Sequence, residues 1–324
     1  SLLSKFPLPN DLSDIFGPPL HSPDDELFTS PAWLLQAIEA VAHKTTKTPS
    51  APPFRFKTDT TSVKHNTALI EDYNFDFTKL IEDHQHTSLS YSSEFRDIDD
   101  LTAIYHDHDL FPFFKGLHQN GMEYIYNKEL TDCERMAELE ANISRGNHRS
   151  ATERPTELRT KLDREVEYGF SVPVLASCIT KIPGAMVQAC GLVVQYALSK
   201  TGEKRLKSRL THDLSFCITD PYASVNKRCN MDAYPAMVYG WCLMRIIHFI
   251  VALRIRFPKE SILISKYDFS DAYRRVAHKA TSAVQTILIY ANLAYISFGY
   301  RLGEPQIHRP GADSAKWCAI YPMN

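Results

Sequence analysis

Hydrophobic and polar residues alternate with different periods in the two parts of the chain. Before about residue 150 the apolar positions recur at helical spacing in acidic segments such as 98–104 and 130–139. Thr131, with Glu134 three residues later, predicts a capping box at the start of the second of these helices. Residues 61–150 are therefore predicted to form an acidic helical region.

Past Pro155 the pattern changes to short β-type runs. They cover residues 172–180, 192–197 and 209–216, and Pro-Gly at 183 and Thr-Gly at 201 separate them as turns. A helix over 234–257, a strand over 261–267, a short helix from Ser270 and two apolar runs at 282–290 and 293–299 follow. The pattern predicts an α+β fold with short antiparallel strands.

Residues 1–60 have the composition of a linker, rich in Pro, Ser, Thr and Asp. We expect them to be largely disordered, apart from one short amphipathic helix over 31–42 that begins with Ser30 as N-cap and Pro31 in the first turn.

Charge is divided unevenly along the 324 residues, although the net charge is only −2. Residues 1–150 contain 13 Lys and Arg against 24 Asp and Glu, whereas residues 151–324 contain 23 against 14. A basic C-terminal part suits a polyanionic partner such as nucleic acid, although a solvated basic surface without a partner gives the same composition.

The cysteines and the apolar segments indicate an intracellular protein. None of the seven cysteines stands in a CxxC pair, which favours reduced thiols over disulfides or zinc ligands. The apolar segment 234–257 contains Arg245 and His248 near its middle, so a buried helix is predicted there and no membrane span.

The segment 262–275 carries the strongest chemical signal. An apolar strand runs into Asp268, and Asp271 opens the helix that follows. Carboxylates at such a junction suit Mg²⁺ shared with substrate phosphates, and a helix N-terminus suits an anion. The alternative for Asp271 is a plain N-cap. A metal site among His106, Asp107, His108 and Asp109 is not favoured, because such a run is typical of a solvated turn.

The sequence of residues 267–275 resembles the first palm motif of retroelement reverse transcriptases, an Asp followed by three residues and then Ala with an aromatic residue. The resemblance implies that Asp268 is the catalytic residue and the Mg²⁺ ligand. It further implies that the triphosphate lies near the backbone of Asp271 and Ala272, and that Tyr273 is the steric gate against a ribose 2′-hydroxyl.

A second match lies upstream, where residues 207–216 resemble the fingers strand of the same family. By this match Arg209 lies over the incoming nucleotide, as suits a planar guanidinium; a basic edge strand is the alternative. The segment Arg145 to Ala151 fits retrotransposon polyproteins less specifically.

Together the matches imply a partial right-hand polymerase. Fingers and an incomplete palm are expected over residues 151–302, preceded by the helical and disordered regions. The expected partners are an RNA or DNA template-primer and a deoxynucleoside triphosphate, with Mg²⁺ as cofactor and no membrane; the oligomeric state stays open.

The chain departs from the family after Asp271. No aromatic-x-Asp-Asp motif follows, and Asp99-Asp100 comes too early in the chain to replace it. The carboxylates of the first motif alone do not bind the two metal ions of such an active site, so polymerisation is expected to be lost or to need another chain. The alternative function is a nucleic-acid-binding module without catalysis.

Residues 303–324 also differ from the family pattern. Codons can be chosen for residues 303–312 that, in the reading frame shifted by two bases, encode a Pro-rich turn followed by Trp-Cys. The family has such a motif at this point. We therefore hypothesise a frameshifted tail, which the encoding DNA tests.

Overall fold

The computed structural model describes residues 32–44, 49–93, 95–198, 201–220, 222–235, 242–262 and 276–298. Within them the fold is α+β, as predicted. The helices are α1 (Ala32–Ala42), α2 (Thr60–Asp72), α3 (Phe77–Asp83), α4 (Ile98–Tyr105), α5 (Phe111–Asn120), α6 (Asp132–Arg145), α7 (Arg149–Thr152), α8 (Pro155–Glu167), α9 (Val225–Arg228), α10 (Cys242–Arg256) and α11 (Ala280–Ala283). The strands are β1 (Ser171–Leu175), β2 (Ala189–Leu198), β3 (Lys204–Asp213), β4 (Leu288–Tyr290) and β5 (Leu293–Ser297).

The strands form two antiparallel sheets, and the residues just before β2 connect them. Strands β1, β5 and β4 lie in that order, and β2 pairs with β3 in a long hairpin. A parallel bridge between Val187 and Ile287 connects the sheets, and the N–H of Gln188 donates to the carbonyl of Ile287 at 2.8 Å. The hairpin is thereby held to the central sheet through the residues just before β2.

The central strand β5 is buried on both sides. Ala294 and Ile296 pack into the main hydrophobic cluster, whereas Tyr295 packs with α8 on the opposite face. Because successive strand residues point to opposite faces, this apolar run serves two cores at once.

The outer edge of β1 is covered by side chains of α2. The amide nitrogen of Asn66 donates to the carbonyl of Pro173 at 3.0 Å, and the N–H of Leu175 donates to the hydroxyl of Thr67 at 3.0 Å. Pro173 itself has no N–H to leave unpaired. The helix thus replaces a neighbouring strand.

Packing begins before residue 60, inside the segment expected to be a linker. Phe54 is buried in the main cluster, and Asn66 exchanges two hydrogen bonds with the backbone of Arg55, at 2.8 and 2.9 Å. The main cluster takes residues from both sides of the boundary expected at residue 150. The expected helix over 31–42 is present as α1, and residues 1–31 lie outside the described residues.

The capping box predicted for α6 is confirmed. The hydroxyl of Thr131 accepts from the N–H of Glu134 at 3.3 Å, and the Glu134 carboxylate accepts from the N–H of Thr131 at 2.8 Å. The hydrogen bonds that the Glu134 carboxylate accepts from the N–H and the hydroxyl of Thr131 lower its pKa. Farther along α6, the fully buried carboxylate of Glu138 accepts from the N–H groups of Ile218 and Thr219 at 2.7 and 2.8 Å. Helix α6 therefore holds the segment that follows β3.

All three predicted β-type runs have different limits in the structure, and the run expected over 192–197 is the longer strand β2. The strand expected over 172–180 ends at Leu175, and the chain continues as a 3₁₀ helix over Ala176–Lys181. Because this helix repeats every three residues, Ile179 and Ile182 both reach the main cluster. The run expected over 209–216 begins at Lys204 and ends at Asp213, whose carboxylate accepts from the N–H of Ser215 and turns the chain.

The helix expected over 234–257 is present as α10, but the expectation that it is buried is wrong. Helix α10 covers part of that segment, and its Ile246, Phe249 and Ile255 are exposed. Apolar periodicity shows that a face can be buried, but a partner surface must be present to bury it. None of the helices that the structure describes is long and apolar enough to cross a membrane.

Replacing Asn66 with alanine is expected to lower the free energy of unfolding by about 3 kcal/mol, because the partly buried backbone groups of Arg55 and the buried carbonyl of Pro173 lose their partners. Asn120→Ala is the matched control, since Asn120 is exposed at the end of α5, and it is expected to change stability by less than ~0.5 kcal/mol. Urea unfolding followed by circular dichroism measures both. Equal midpoints for the two variants would contradict the role given to Asn66.

Candidate nucleic-acid interface

The β2–β3 hairpin projects beyond the core and has two chemically different faces. Its register pairs Val193 with Arg209, Gln195 with Lys207, Tyr196 with Leu206 and Ala197 with Arg205. Directly opposite residues in an antiparallel pair share a face, and neighbours in sequence alternate between faces. Arg205, Lys207 and Arg209 therefore lie on one face, which we name the basic face.

The cations of the basic face are open to solvent. Arg205, Lys207 and Arg209 are all exposed, and none of them forms an ion pair in the part of the chain that the structure describes. Their strand partners across the hairpin, Val193 and Gln195 among them, are uncharged. At the usual rise per strand residue, the three cations span about 13 Å. Such a row suits a polyanion with regularly spaced charges.

The opposite face changes from buried to exposed along its length. Near the core, Leu192 is buried against α8, whereas at the outer end Tyr196 is 75% and Leu206 55% exposed. Tyr196 and Leu206 lie directly opposite each other. An exposed aromatic ring beside an aliphatic side chain offers a surface on which a flat base can stack.

The root of the hairpin is held by Asn147, His148 and Ser150, which we name the anchor segment. The amide oxygen of Asn147 accepts from the N–H of Cys190 at 3.0 Å, and its nitrogen donates to the carbonyl of Ile289 at 2.8 Å. Asn147 thus joins β2 to β4. The hydroxyl of Ser150 accepts from the N–H of Leu192 at 3.2 Å, two residues farther along β2.

A contact between His148 and Asp213 closes the same root on the β3 side. The Nε2 atom of His148 lies 2.9 Å from a carboxylate oxygen of Asp213, and the His148 ring meets Phe216 edge-on. The guanidinium carbon of Arg145 lies 3.8 Å from the centre of the Phe216 ring. The segment 145–151, which resembled retrotransposon polyproteins only weakly, therefore acts as the hairpin's attachment in this structure.

Gly191 permits this close approach. A Cβ atom at this position would lie 3.0 Å from the hydroxyl of Thr211 and 3.3 Å from that of Ser150. A side chain here would crowd both hydroxyls, which would have to shift by a few tenths of an ångström. A glycine at this position leaves room for the hydroxyl of Ser150 beside β2.

The predicted site residues are only partly described by the structure. Arg209 lies on the exposed basic face of β3. Asp268, Asp271, Ala272 and Tyr273 lie outside the described residues, as does the expected tail over 303–324. Arg209 is thus the member of the predicted set whose position the structure describes.

Carboxylates elsewhere are engaged in structural contacts. Asp100 forms an ion pair with Lys44, and Asp97 caps α4 by accepting from the N–H of Asp99. No group of three or more His, Cys, Asp or Glu side chains that could hold a metal ion occurs in the described ranges. The run at 106–109 forms a largely exposed turn, as expected, in which His106 lies 3.1 Å from Asp107.

Three residues of the interface were missed at the sequence level. Arg205 and Lys207 share the face of Arg209, and Tyr196 lies on the opposite face. The alternation of cations at 205, 207 and 209 was the available signal, because it has the period of a strand. Tyr196 had no such signal, since only the hairpin register pairs it with Leu206.

Comparison with known proteins gives no relative for this chain. No family model, curated protein or solved structure matches it. A function must therefore be inferred from its own residues and motifs.

Burial protects the thiol of Cys190 at the hairpin root. It raises the pKa of Cys190 to about 12 and that of Cys178 to about 11. These values lie above the ordinary thiol pKa of 9.0. At a pH between the ordinary and the raised value, the folded protein therefore keeps these thiols protonated, whereas the unfolded chain ionises them. The resulting stabilisation is complete below about pH 8.5 and is lost as the pH rises toward 11 and 12.

Alkylation of the native protein with iodoacetamide at mildly alkaline pH is expected to modify the exposed Cys133 readily and to leave Cys178 and Cys190 largely unmodified. Urea should remove this difference, because the buried thiols then ionise normally. Peptide mass spectrometry measures each site. Equal labelling of Cys133 and Cys190 without urea would show that the hairpin root is open.

Proposed function

We propose that the chain is a nucleic-acid-binding portion of a retroelement reverse transcriptase, related to enzymes that add nucleotides to a primer on an RNA or DNA template with Mg²⁺. The basic face of the β2–β3 hairpin is the observation that carries this proposal. Three exposed cations on one face, without a carboxylate partner among the described residues, suit a phosphate backbone.

The chemistry of these cations supports nucleic acid as the partner. Affinity for a phosphate backbone comes mainly from Lys and Arg contacts that release bound counterions. Arg205 and Arg209 can each present a guanidinium fork to phosphate oxygens, and Lys207 between them adds a point charge. Tyr196 and Leu206 on the opposite face offer apolar surface to bases.

The nucleotide-addition part of the proposal rests on the resemblance of two motifs. By that resemblance Asp268 would hold Mg²⁺, which would bind the triphosphate of an incoming nucleotide. The backbone of Asp271 and Ala272 would lie near the triphosphate, Tyr273 would exclude a 2′-hydroxyl, and Arg209 would cover the nucleotide. The exposure of Arg209 on the hairpin supports its part in this set.

A second candidate is a nucleic-acid-binding module without catalysis. The same basic face supports it, because phosphate contacts need no catalytic carboxylate. The two candidates differ in whether nucleotide addition depends on Asp268.

Replacing Arg205, Lys207 and Arg209 together with glutamine is expected to weaken binding of a single-stranded oligonucleotide. If each residue contacts one phosphate, the slope of log K against log salt concentration should become shallower by about 2. Fluorescence anisotropy over a salt series measures this change.

The matched control replaces Lys57, Lys64 and Lys79 with glutamine, which removes the same charge from exposed positions outside the hairpin. It should leave most of the affinity in place. An equal loss in both triple variants would mean that net charge governs binding and that the hairpin is not the interface.

Primer extension on an RNA template with Mg²⁺ and deoxynucleoside triphosphates is expected to yield no product, because the sequence contains one carboxylate centre of the two-metal clamp. A known reverse transcriptase in the same mixture controls for template quality. Extension that Asp268→Asn abolishes would overturn this expectation and establish the chain as a polymerase. Extension that survives this substitution would remove Asp268 from the reaction.

A further inference from the structure

Helix α10 exposes a large amount of apolar surface. Ile255 is 76% exposed, and five other large apolar side chains in or just after the helix are also exposed: Ile246, Ile247, Phe249, Val251 and Phe257. Single exposed apolar residues are common on proteins, but a group of this size on one helix marks an interaction surface.

The apolar surface of α10 ends in positive charge. Arg254 and Arg256 are exposed in its last turn, and the Arg254 guanidinium donates to the carbonyls of Pro258 and Glu260 at 3.1 and 3.0 Å. These hydrogen bonds orient the guanidinium but do not neutralise its charge, because backbone carbonyls are uncharged. The surface of α10 is thus apolar along its length and cationic at its C-terminus.

A surface of complementary character occurs elsewhere in the same chain. Helices α1, α4 and α5 form a small unit around Val41, Leu101, Ile104 and Phe111, which we name the acidic helical unit. It exposes four large apolar side chains: Trp33, Leu35, Leu110 and Phe113. Trp33 lies against His106, 5.6 Å between ring centres, next to the turn that contains Leu110.

Exposed carboxylates surround this second apolar surface. Five of them belong to the acidic helical unit: Glu39, Asp97, Asp99, Asp107 and Asp109. Lys44 in the unit is paired with Asp100, and Arg96 is buried with its guanidinium donating to the carbonyl of Val41 at 2.6 Å. Lys115 in α5 is one further exposed cation of the unit, so the five exposed carboxylates outnumber it. The unit is therefore apolar with net negative charge, whereas α10 is apolar with cations in its last turn.

We propose that α10 of one copy of this chain binds the acidic helical unit of a second copy. The partner is a second copy because one chain carries both complementary surfaces and leaves both exposed. A twofold arrangement would use each surface once in each copy, which makes two equal contacts and closes the assembly as a dimer. The apolar side chains supply the attraction and the opposite charges select the orientation.

Sedimentation equilibrium over a concentration series tests the dimer. We expect a monomer–dimer equilibrium that weakens as salt is raised, because exposed charge pairs are screened. The double variant Arg254→Glu/Arg256→Glu should raise the dimer Kd by about ten-fold or more. Mixing it with Asp107→Lys/Asp109→Lys should restore association between the two variants, since the charges are then exchanged.

Two further variants separate the surface from general effects. Ile255→Ser removes exposed apolar area without changing charge and should also weaken the dimer, with an unchanged thermal melt by circular dichroism. Arg205→Glu/Lys207→Glu makes the same charge change on the hairpin and should leave dimerisation as it is, so this test is independent of nucleic-acid binding.

A monomer at every concentration would overturn the proposal. So would a dimer that is insensitive to both the Arg254→Glu/Arg256→Glu and the Ile255→Ser changes, because α10 would then lie outside the contact. Cosedimentation of a monomer with phosphatidylserine vesicles, lost in the α10 charge variant, would assign the helix to an anionic membrane surface and would likewise overturn it.

Discussion

The position of the β2–β3 hairpin depends on one bridging side chain, that of Asn147. Its amide oxygen and nitrogen bind β2 and β4 at the same time, and without it the two sheets are joined in this region by the short pairing at Val187 and Ile287. A side-chain amide suits this task because it both donates and accepts, and neither strand must be distorted to reach it. Ser150 and the pair of His148 with Asp213 extend the contact at the hairpin root. The described residues of the hairpin farther from the root are half-buried or exposed.

This attachment explains why the hairpin has a basic and an apolar face. The fully buried part of the hairpin ends at Leu192, and the described residues farther out on β2 and β3 are half-buried or exposed. Strand alternation then places the cations at 205, 207 and 209 on one side, and Tyr196 with Leu206 on the other. Neither face contributes much to the folding stability of a monomer, because exposed cations and apolar groups add almost nothing to it. Their arrangement is suited to a partner outside the chain, which is the basis of the nucleic-acid proposal.

Local signals predicted the parts of the fold that depend on neighbours in sequence. The capping box of Thr131 and Glu134, the helix over Ala32–Ala42 and the antiparallel pairing of the β-type runs are of this kind. The limits of β1 and β3 were not predictable in the same way. The chain leaves β1 at Leu175 because a 3₁₀ turn delivers Ile179 and Ile182 to a core built largely from distant residues. The exposure of α10 escaped prediction for the related reason that apolar periodicity contains no information on whether a covering surface exists.

The sequence by itself determined the α+β class, the division into acidic and basic parts, and the motif resemblance that points to Asp268 and Arg209. These are properties of composition and of residues within a few positions of one another. Only the tertiary structure decided that Asn147 joins two strands separated from it by more than forty residues, and that Arg205, Lys207 and Arg209 share an open face. It also decided that α10 and the acidic helical unit both expose apolar surface. Such features arise from hydrogen-bond register and packing between distant segments, which no local pattern specifies.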